Sequence, residues 1–600
     1  MRMLRLVAAL TAGVVEAAPA QVSSVRPSEK LLLLPLTVQA AADSSASILV
    51  MDAAREKLAS LARNRVLVIP KAKMCEALTA SGFPCDALLE ETQGRLLARF
   101  FSADAFTSGR LERQGTALTA RVHVADIGGS GFAASFTVTN GNPGTPAALG
   151  EAIAARLSTI IKAGESAREC VAQRQRGAFA RALDAARKAF AIEPNHTGAH
   201  LCVGTVYEAQ RMPHDSLIAA AQRALKGDSL NATAWELIAR QYLAKGDTLE
   251  AIKHFRGQLV GEPTNTRLRL GTAQLQQQQR LYAAADTVLS QGLALNPSDQ
   301  SLIELKNRIC IEGELWRCAL DGLTRRAMVD TAALSDTSFL KTALGAAQQL
   351  SDTQALLYFG HAATTRFPNS ASFWKVLGAA FEAAGRADSA IWAYRRSLAI
   401  DPTDLSSSLL VAKSIVDGAT FDTAQARRLR ALNDSAGLRA QQKAYADRMD
   451  TAKVYMDRAV ASGDSAMRLN AALIILTAGS KLAQVQAYDR AYTWLDQTLQ
   501  LVAPRTPADT VGPRNQIRVN ASFWFGLASL QTLSKPYQDM TKSKSCAEAK
   551  LINDRIVRTK EAIVRGARVH PPTASTLLRN LEQYEALMPR VKQAFKCTNF

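Results

Sequence analysis

The sequence lacks the short motifs that identify many enzymes. It contains no GxGxxG or GxxxxGK[ST] phosphate-binding loop, no HExxH zinc-binding helix and no GxSxG nucleophile turn. Its eight cysteines include no CxxC pair, which argues against a cysteine metal site. We therefore expect a protein without enzymatic activity, cofactor or metal. A hydrolase hidden in the N-terminal region is a minor alternative.

Long apolar runs and aromatic residues are also scarce. Aromatic residues make up 6% of the chain, and no apolar run beyond the N-terminus approaches the ~20 residues that a membrane helix needs. The formal net charge is +19, and residues 505–600 carry about half of it. A solvated helix face is the favoured interpretation of this basic region, and contact with an anionic membrane or a cell-wall polymer is the alternative. Without basic strands interleaved with aromatics, nucleic acid is not an expected partner.

The N-terminus has the pattern of a secretory signal. Arg2 and Arg5 precede an apolar stretch from Leu6 to Val15, and Ala18-Pro19-Ala20 fits a cleavage site. The prediction is a signal peptide over 1–20 and a periplasmic or secreted protein. The alternative is a short N-terminal helix in a cytosolic protein.

The cysteines fit an oxidising compartment, because their number is even and several lie close together in sequence. We predict four bridges, which pair Cys75 with Cys85, Cys170 with Cys202, Cys310 with Cys318, and Cys546 with Cys597. The alternative is a set of buried free thiols in a cytosolic protein.

Residues 30–163 predict a small α/β (α+β) domain. Apolar segments 30–38 and 65–70 read as strands, while 47–61 and 88–101 have helical spacing. Segments 105–114 and 117–127 alternate in polarity around Gly115 and predict a hairpin. A further strand over 132–138 and a long helix over 147–162 complete the domain. Gly128-Gly129-Ser130-Gly131 precedes a strand, so a turn is favoured over a phosphate site.

Several motifs in this domain match a known type of exported domain. They are the opening LLLLPL, the strand RVLVIP, the run Ala103–Leu111 and the strand LTARVHVADI, which ends in Asp before Gly. In these features the segment resembles curli-secretion outer-membrane factors, flagellar outer-membrane accessory proteins and the amino terminus of TolB-like proteins. The resemblance implies assembly with envelope partners and no active site.

From about residue 164 a repeat of 34 residues begins. Residues 371–404 carry Trp374, Leu377, Gly378, Phe381, Ala390, Tyr394 and Pro402. Residues 232–265 carry Trp235, Ile238, Ala239, Tyr242, Gly246, Ala251, Phe255 and Pro263. This is the skeleton of the tetratricopeptide repeat (TPR), a helix–turn–helix unit whose small residues allow close helix packing. About seven units fit over 164–404, which predicts an all-α superhelical solenoid.

The pattern fades after Asp404. We predict degenerate helical repeats over 405–503, a linker over 504–514 and a basic helical cap over 515–600.

The candidate functional residues lie on the first helix, helix A, of each clear repeat. In TPR geometry these positions line a concave groove, although ordinary solvated surface is the alternative for each. The predicted protein-binding residues are Glu236, Arg240, Arg267, Gln274, Gln277, Gln278, Lys375 and Glu382. The lysine–asparagine clamp of some TPR proteins is not expected, because Ala379 follows Lys375 by four residues. His196, His200 and His214 could bind a metal, but ordinary packing is favoured.

Together these features predict an exported scaffold of the bacterial cell envelope that binds other proteins through its repeats. The alternatives are a cytosolic regulatory protein with a TolB-like domain and a binder of cell-wall polymers.

Overall fold

The computed structural model describes residues 29–63, 65–129, 131–140, 144–504 and 511–598. They form two compact units. Unit 1 ends at Leu315, and unit 2 begins at Trp316. The predicted signal peptide over 1–20, Ser130 and most of the predicted linker lie outside these residues. Within them, no helix is both long and apolar enough to cross a membrane.

Unit 1 begins with a six-stranded mixed sheet. Its central path runs β3-β1-β4-β5-β6, and β2 pairs with β4. The strands are β1 (Glu29–Leu33), β2 (Thr37–Val38), β3 (Val66–Val68), β4 (Ala105–Gln114), β5 (Ala117–Asp126) and β6 (Ala134–Thr139). β1 is parallel to β3 and β4, whereas β4, β5 and β6 are successively antiparallel. The predicted single strand over 30–38 is two strands, divided around Pro35, because proline cannot donate to a strand ladder.

Helices cover both faces of the sheet. α1 (Ser44–Leu61) and α4 (Pro146–Gln175) bury one face, where Val50, Leu118 and Ile153 are in the core. On the other face, α2 (Lys71–Ala80) and α3 (Glu91–Phe100) pack over Leu32 and Phe106. The sequence pattern did not predict α2, because its buried residues are only Met74 and Leu78, one turn apart.

α4 runs without a break for 30 residues, through the position where the sequence analysis divides the domain from the repeats. Residues up to Ile161 pack on the sheet. Beyond them, Ala167 and Cys170 pack against the first repeat helices. One helix therefore contributes to two cores.

The rest of unit 1 consists of helical hairpins. The helices are α5 (Phe179–Ile192), α6 (Thr197–Ala209), α7 (His214–Gly227), α8 (Ala232–Ala244), α9 (Thr248–Gly261), α10 (Thr266–Gln278), α11 (Tyr282–Leu295) and α12 (Gln300–Glu312). A left-handed residue follows each A helix, at Gly177, Arg211, Gly246, Arg280 and Glu314. The turn backbone thus repeats at nearly constant spacing even where arginine or glutamate replaces glycine.

The secondary structure of unit 2 is helical throughout the residues that the structure describes. Its helices are α13 (Trp316–Val329), α14 (Thr337–Gln349), α15 (Thr353–Arg366), α16 (Ala371–Ala383), α17 (Ala387–Ile400), α18 (Leu405–Gly418), α19 (Thr423–Ala431), α20 (Ser435–Asp450), α21 (Lys453–Ala461), α22 (Ser465–Gln484), α23 (Tyr488–Leu501), α24 (Gly512–Gln531), α25 (Ser534–Ser543), α26 (Cys546–Gly566) and α27 (Pro571–Phe595). A 3-10 helix over Thr331–Ser335 lengthens the step from α13 to α14.

The TPR skeleton is the core of α16 and α17. Leu377, Phe381, Ala390 and Tyr394 are all buried, and the Tyr394 ring lies directly over Gly378. After α18 the regular pairing stops, because α18 packs on α21 and α22 and the pair α19–α20 is inserted between them. The predicted fold class is confirmed: a small α/β domain precedes an all-α TPR array.

Three of the expected cysteine pairs are joined in the structure, namely Cys75–Cys85, Cys170–Cys202 and Cys546–Cys597. Among the described cysteines there is no free thiol, Cys310 and Cys318 included. Cys170–Cys202 ties α4 to α6 within the first repeats.

Two glycines of unit 2 give a matched test of repeat packing. A Cβ at Gly378 would lie 2.4 Å from the Tyr394 ring, whereas a Cβ at Gly345 of α14 would meet nothing within 4 Å. We expect Gly378→Ala to destabilise unit 2 by about 1–3 kcal/mol through overpacking. Gly345→Ala should stabilise it by about 0.5–1 kcal/mol through helix propensity. Urea unfolding followed by circular dichroism measures both, and shifts of the same sign would contradict this account.

The cysteine pairing predicts the thiol content of the isolated protein. Denatured without reductant, the chain should show no reactive thiol, and after reduction it should show all eight cysteines. Peptide mapping should recover the three bridges named above. Eight free thiols in the unreduced protein would refute the pairing.

Candidate functional site

The predicted groove residues of α8 lie on an exposed polar surface. Glu236 and Arg240 are both about half exposed, with the Arg240 Nε 3.8 Å from a Glu236 carboxylate oxygen. Arg240 also lies 3.7 Å from Glu208 of the preceding A helix, α6. The adjacent A helices α6 and α8 therefore share one exposed charged surface.

On α10 the predicted residues differ in their surroundings. Arg267, Gln274 and Gln278 are exposed, and their side chains form no hydrogen bond or ion pair within the described part of the chain. Gln277 is half-buried and donates to Glu312 of α12, which also accepts from Tyr282 at 3.2 Å. Three side chains on one helix are thus available to a partner.

The two predicted residues of unit 2 are bonded to neighbouring helices. Lys375 Nζ lies 2.6 Å from a carboxylate oxygen of Asp404, which caps α18. Glu382 accepts from Tyr394 at 3.0 Å and from Ser414 at 2.7 Å. Burial, together with Glu382, raises the pKa of the Tyr394 hydroxyl. Both side chains join adjacent helices, so they offer less to a partner than the residues of α10.

One hydrogen bond recurs in the turns before the A helices. Trp235 and Trp374 donate from Nε1 to the carbonyl six residues earlier, at 2.9 and 2.7 Å. His200 and Arg269 take the same position and donate to the carbonyls of Pro194 and Pro263. His200 is therefore a packing residue that replaces tryptophan.

No cluster of possible metal ligands in the described part of the chain includes His196, His200 or His214. His196 caps α6 by accepting from the Ala199 amide, and burial lowers its pKa to about 4. His214 hydrogen-bonds to Gln241 at 2.8 Å. These local contacts favour packing roles for His196 and His214.

A buried charge cluster that the sequence analysis missed joins the sheet to the repeats within unit 1. His123 of β5 lies between two carboxylates, 3.5 Å from Glu91 of α3 and 3.5 Å from Asp228 at the end of α7. Asp228 also accepts from Ser135 of β6 at 2.6 Å and is 2% exposed. Elements of the sheet, α3 and α7 therefore meet through three charged side chains.

The charges of this cluster stabilise one another. Burial disfavours the charged imidazole, but the hydrogen bonds to Asp228 and Glu91 outweigh it and raise the pKa of His123 to about 9. Burial likewise opposes the charge of Asp228, yet His123 holds its pKa below the usual value. At neutral pH the cluster is an imidazolium between two carboxylates.

The cluster borders a cleft of about 560 Å³ on the sheet face that α3 leaves uncovered. Arg110 and Arg121 stand directly opposite each other on β4 and β5, and Arg121 lies 3.3 Å from Glu112. The hydroxyl of Ser108 is 3.5 Å from His123 Nδ1. Serine, histidine and aspartate are thus close together, but a histidine already protonated at neutral pH cannot accept the serine proton. The arrangement favours an ionic junction over a hydrolytic site.

Sequence reasoning could not find this cluster, because Glu91, His123 and Asp228 are separated by long stretches of chain. The only local signal is the alternation of β5, which places His123 on the face opposite Val122 and Val124.

No family model and no curated protein matches the sequence. Solved structures similar to the chain include a tetratricopeptide repeat protein from Parabacteroides merdae, at 14% identity over 42% of this chain and 98% of that one, with a TM-score of 0.22. Pseudomonas aeruginosa PilF matches at 18% identity over 35% of this chain and 94% of that one, with a TM-score of 0.20. YrrB, a TPR protein with an unusual peptide-binding site, matches at 16% identity over 38% and 96%, with a TM-score of 0.19. At these scores the likeness carries no functional argument, and the repeat assignment rests on the helices and turns described above.

The His123 cluster predicts a loss of stability at alkaline pH. The pKa of His123 is about 9 in the folded chain, above the 6.5 of a free histidine. Its contribution is therefore fully present below pH 6.5 and is lost as the pH rises towards 9, by an amount on the order of 3 kcal/mol. Thermal unfolding between these pH values should show the loss, and His123→Gln should flatten the profile.

The control is His361→Gln, because His361 is exposed on α15. It should leave the alkaline profile unchanged. Since the chain has seven histidines, selective isotope labelling can also report the His123 pKa by NMR. A value near 6.5 for His123 would refute the ionic junction.

Proposed function

We propose that the chain is a non-catalytic scaffold exported to the bacterial cell envelope, where its helical repeats bind another protein. The N-terminal sheet is proposed to be of the type found in curli-secretion factors and at the amino terminus of TolB-like proteins. In this proposal the sheet and the first repeats act together, since α4 belongs to both.

The main support for this proposal is the exposed polar surface of α8 and α10. Arg267, Gln274 and Gln278 are exposed there and are not needed for contacts between repeats. A rigid helix that presents side chains without partners can recognise another chain with little loss of conformational freedom. This surface is therefore the proposed contact with the partner, in preference to Lys375 and Glu382.

Export is supported by the cysteines and by the N-terminal pattern. Oxidised pairs such as Cys75–Cys85 and Cys546–Cys597 suit a compartment outside the reducing cytosol. The charge pattern of residues 1–20 agrees with that compartment.

Site-specific crosslinking tests the proposed surface. A photoreactive residue at Gln274 or Gln278 should capture a defined protein in intact cells. The matched control is Gln291, which is exposed on α11 in the same repeat. Equal capture at Gln291 would contradict a specific surface on the A helices.

The same samples discriminate between the alternatives. The mass of the crosslinked chain shows whether residues 1–20 have been removed, and an intact N-terminus would favour the cytosolic regulatory protein. Crosslinks only to cell-wall polymer would favour the polymer-binding alternative.

A further inference from the structure

Four lysines gather at one end of the C-terminal helices. Cys546, the first residue of α26, is bonded to Cys597, just after α27, with a Cα–Cα distance of 5.5 Å. Every lysine of the group is within four residues of one of these cysteines, or about 6 Å along a helix. We call Lys542, Lys544, Lys550 and Lys596 the lysine end.

The lysine end is exposed and carries more positive than negative charge among the described residues. All four side chains are exposed. Elsewhere in this region lysines are paired, as Lys535 is with Asp539 at 3.0 Å and Lys560 is with Glu585 at 2.8 Å. The acidic residue nearest in sequence is Glu548, which accepts from Ser543. The lysine end therefore carries a concentrated positive charge that a surrounding anionic surface would complement.

Local structure does not account for all of these lysines. Lysine at a helix C-terminus interacts favourably with the helix dipole, which suits Lys542 in the last turn of α25. Lys544 and Lys596 end α25 and α27 with φ of 51° and 55°, a backbone region that favours glycine. Lys550 lies near the N-terminal end of α26, where the dipole favours acidic residues.

An apolar residue stands beside the charges. Leu551 follows Lys550 and is 68% exposed. A leucine among lysines suits the boundary between phospholipid headgroups and acyl chains, whereas a soluble polyanion would gain nothing from it. Lysine ammonium groups on flexible stems also suit a diffuse layer of lipid phosphates.

We infer that the lysine end docks on an anionic phospholipid surface and so fixes the C-terminal end of the chain at a membrane. Each lysine near such a surface adds to the attraction for the anionic lipids, and salt screens that attraction. This inference does not depend on the protein-binding surface of α8 and α10, because it concerns other helices.

Vesicle cosedimentation of the full mature chain tests the inference. Vesicles of phosphatidylglycerol and phosphatidylethanolamine in about a 3:7 ratio should bind the chain, and vesicles of phosphatidylcholine alone should not. The variant K542E/K544E/K596E should weaken binding by at least about tenfold. The matched control is K341E/K443E/K535E, which changes the net charge equally at exposed lysines outside the lysine end and should weaken binding less than about threefold.

Three results would overturn the inference. The first is an equal loss of vesicle binding in the two triple variants. The second is vesicle binding that does not change with salt concentration. The third is binding to soluble polyglutamate that is as tight as binding to the anionic vesicles. A Leu551→Ser variant distinguishes binding to a lipid surface from binding to a soluble polyanion. It should weaken vesicle binding but leave polyglutamate binding unchanged. Circular dichroism of each variant distinguishes lost binding from lost folding.

Discussion

Unit 1 depends on a single helix, α4, that packs in two hydrophobic cores. The first part of α4 packs so closely on α1 that a Cβ at Gly150 would lie 2.3 Å from the Val50 carbonyl oxygen. The second part fits Ala167 and Cys170 among the first repeat helices. The sheet and the repeats therefore cannot turn freely about a linker. The charged contact among Glu91, His123 and Asp228, some distance away along the chain, reinforces the same arrangement.

The repeats tolerate wide sequence variation because a few positions carry most of the geometry. The turn after each A helix keeps a left-handed residue, whether it is Gly246 or Arg280. The hydrogen bond to the carbonyl six residues earlier is made by Trp374 in one repeat and by His200 in another. The repeats thus retain a hydrogen-bond donor at this position rather than one residue type. Close packing of the neighbouring side chains fills the remaining space.

Patterns local in sequence were predictable, and contacts distant in sequence were not. The hairpin of β4 and β5 follows from alternation around Gly115, and α16 with α17 follows from the TPR skeleton at Trp374 and Tyr394. The length of α4 was missed because the residue pattern changes near residue 164 while the backbone does not. The sequence could not show that Glu382 accepts hydrogen bonds from Tyr394 and Ser414, whereas Gln274 is exposed and its side chain makes no hydrogen bond within the described part of the chain. That distinction depends on which helix lies beside each residue.

The shared helix also has a mechanical consequence. A force applied to the first repeats would be passed to the sheet through α4, because no loop separates the part of α4 in the core of the sheet from the part that packs on the repeats. The Cys170–Cys202 bond adds a covalent tie at the loaded end of α4. Within unit 1, tension is therefore carried by a helix and a covalent bond rather than by a flexible connection.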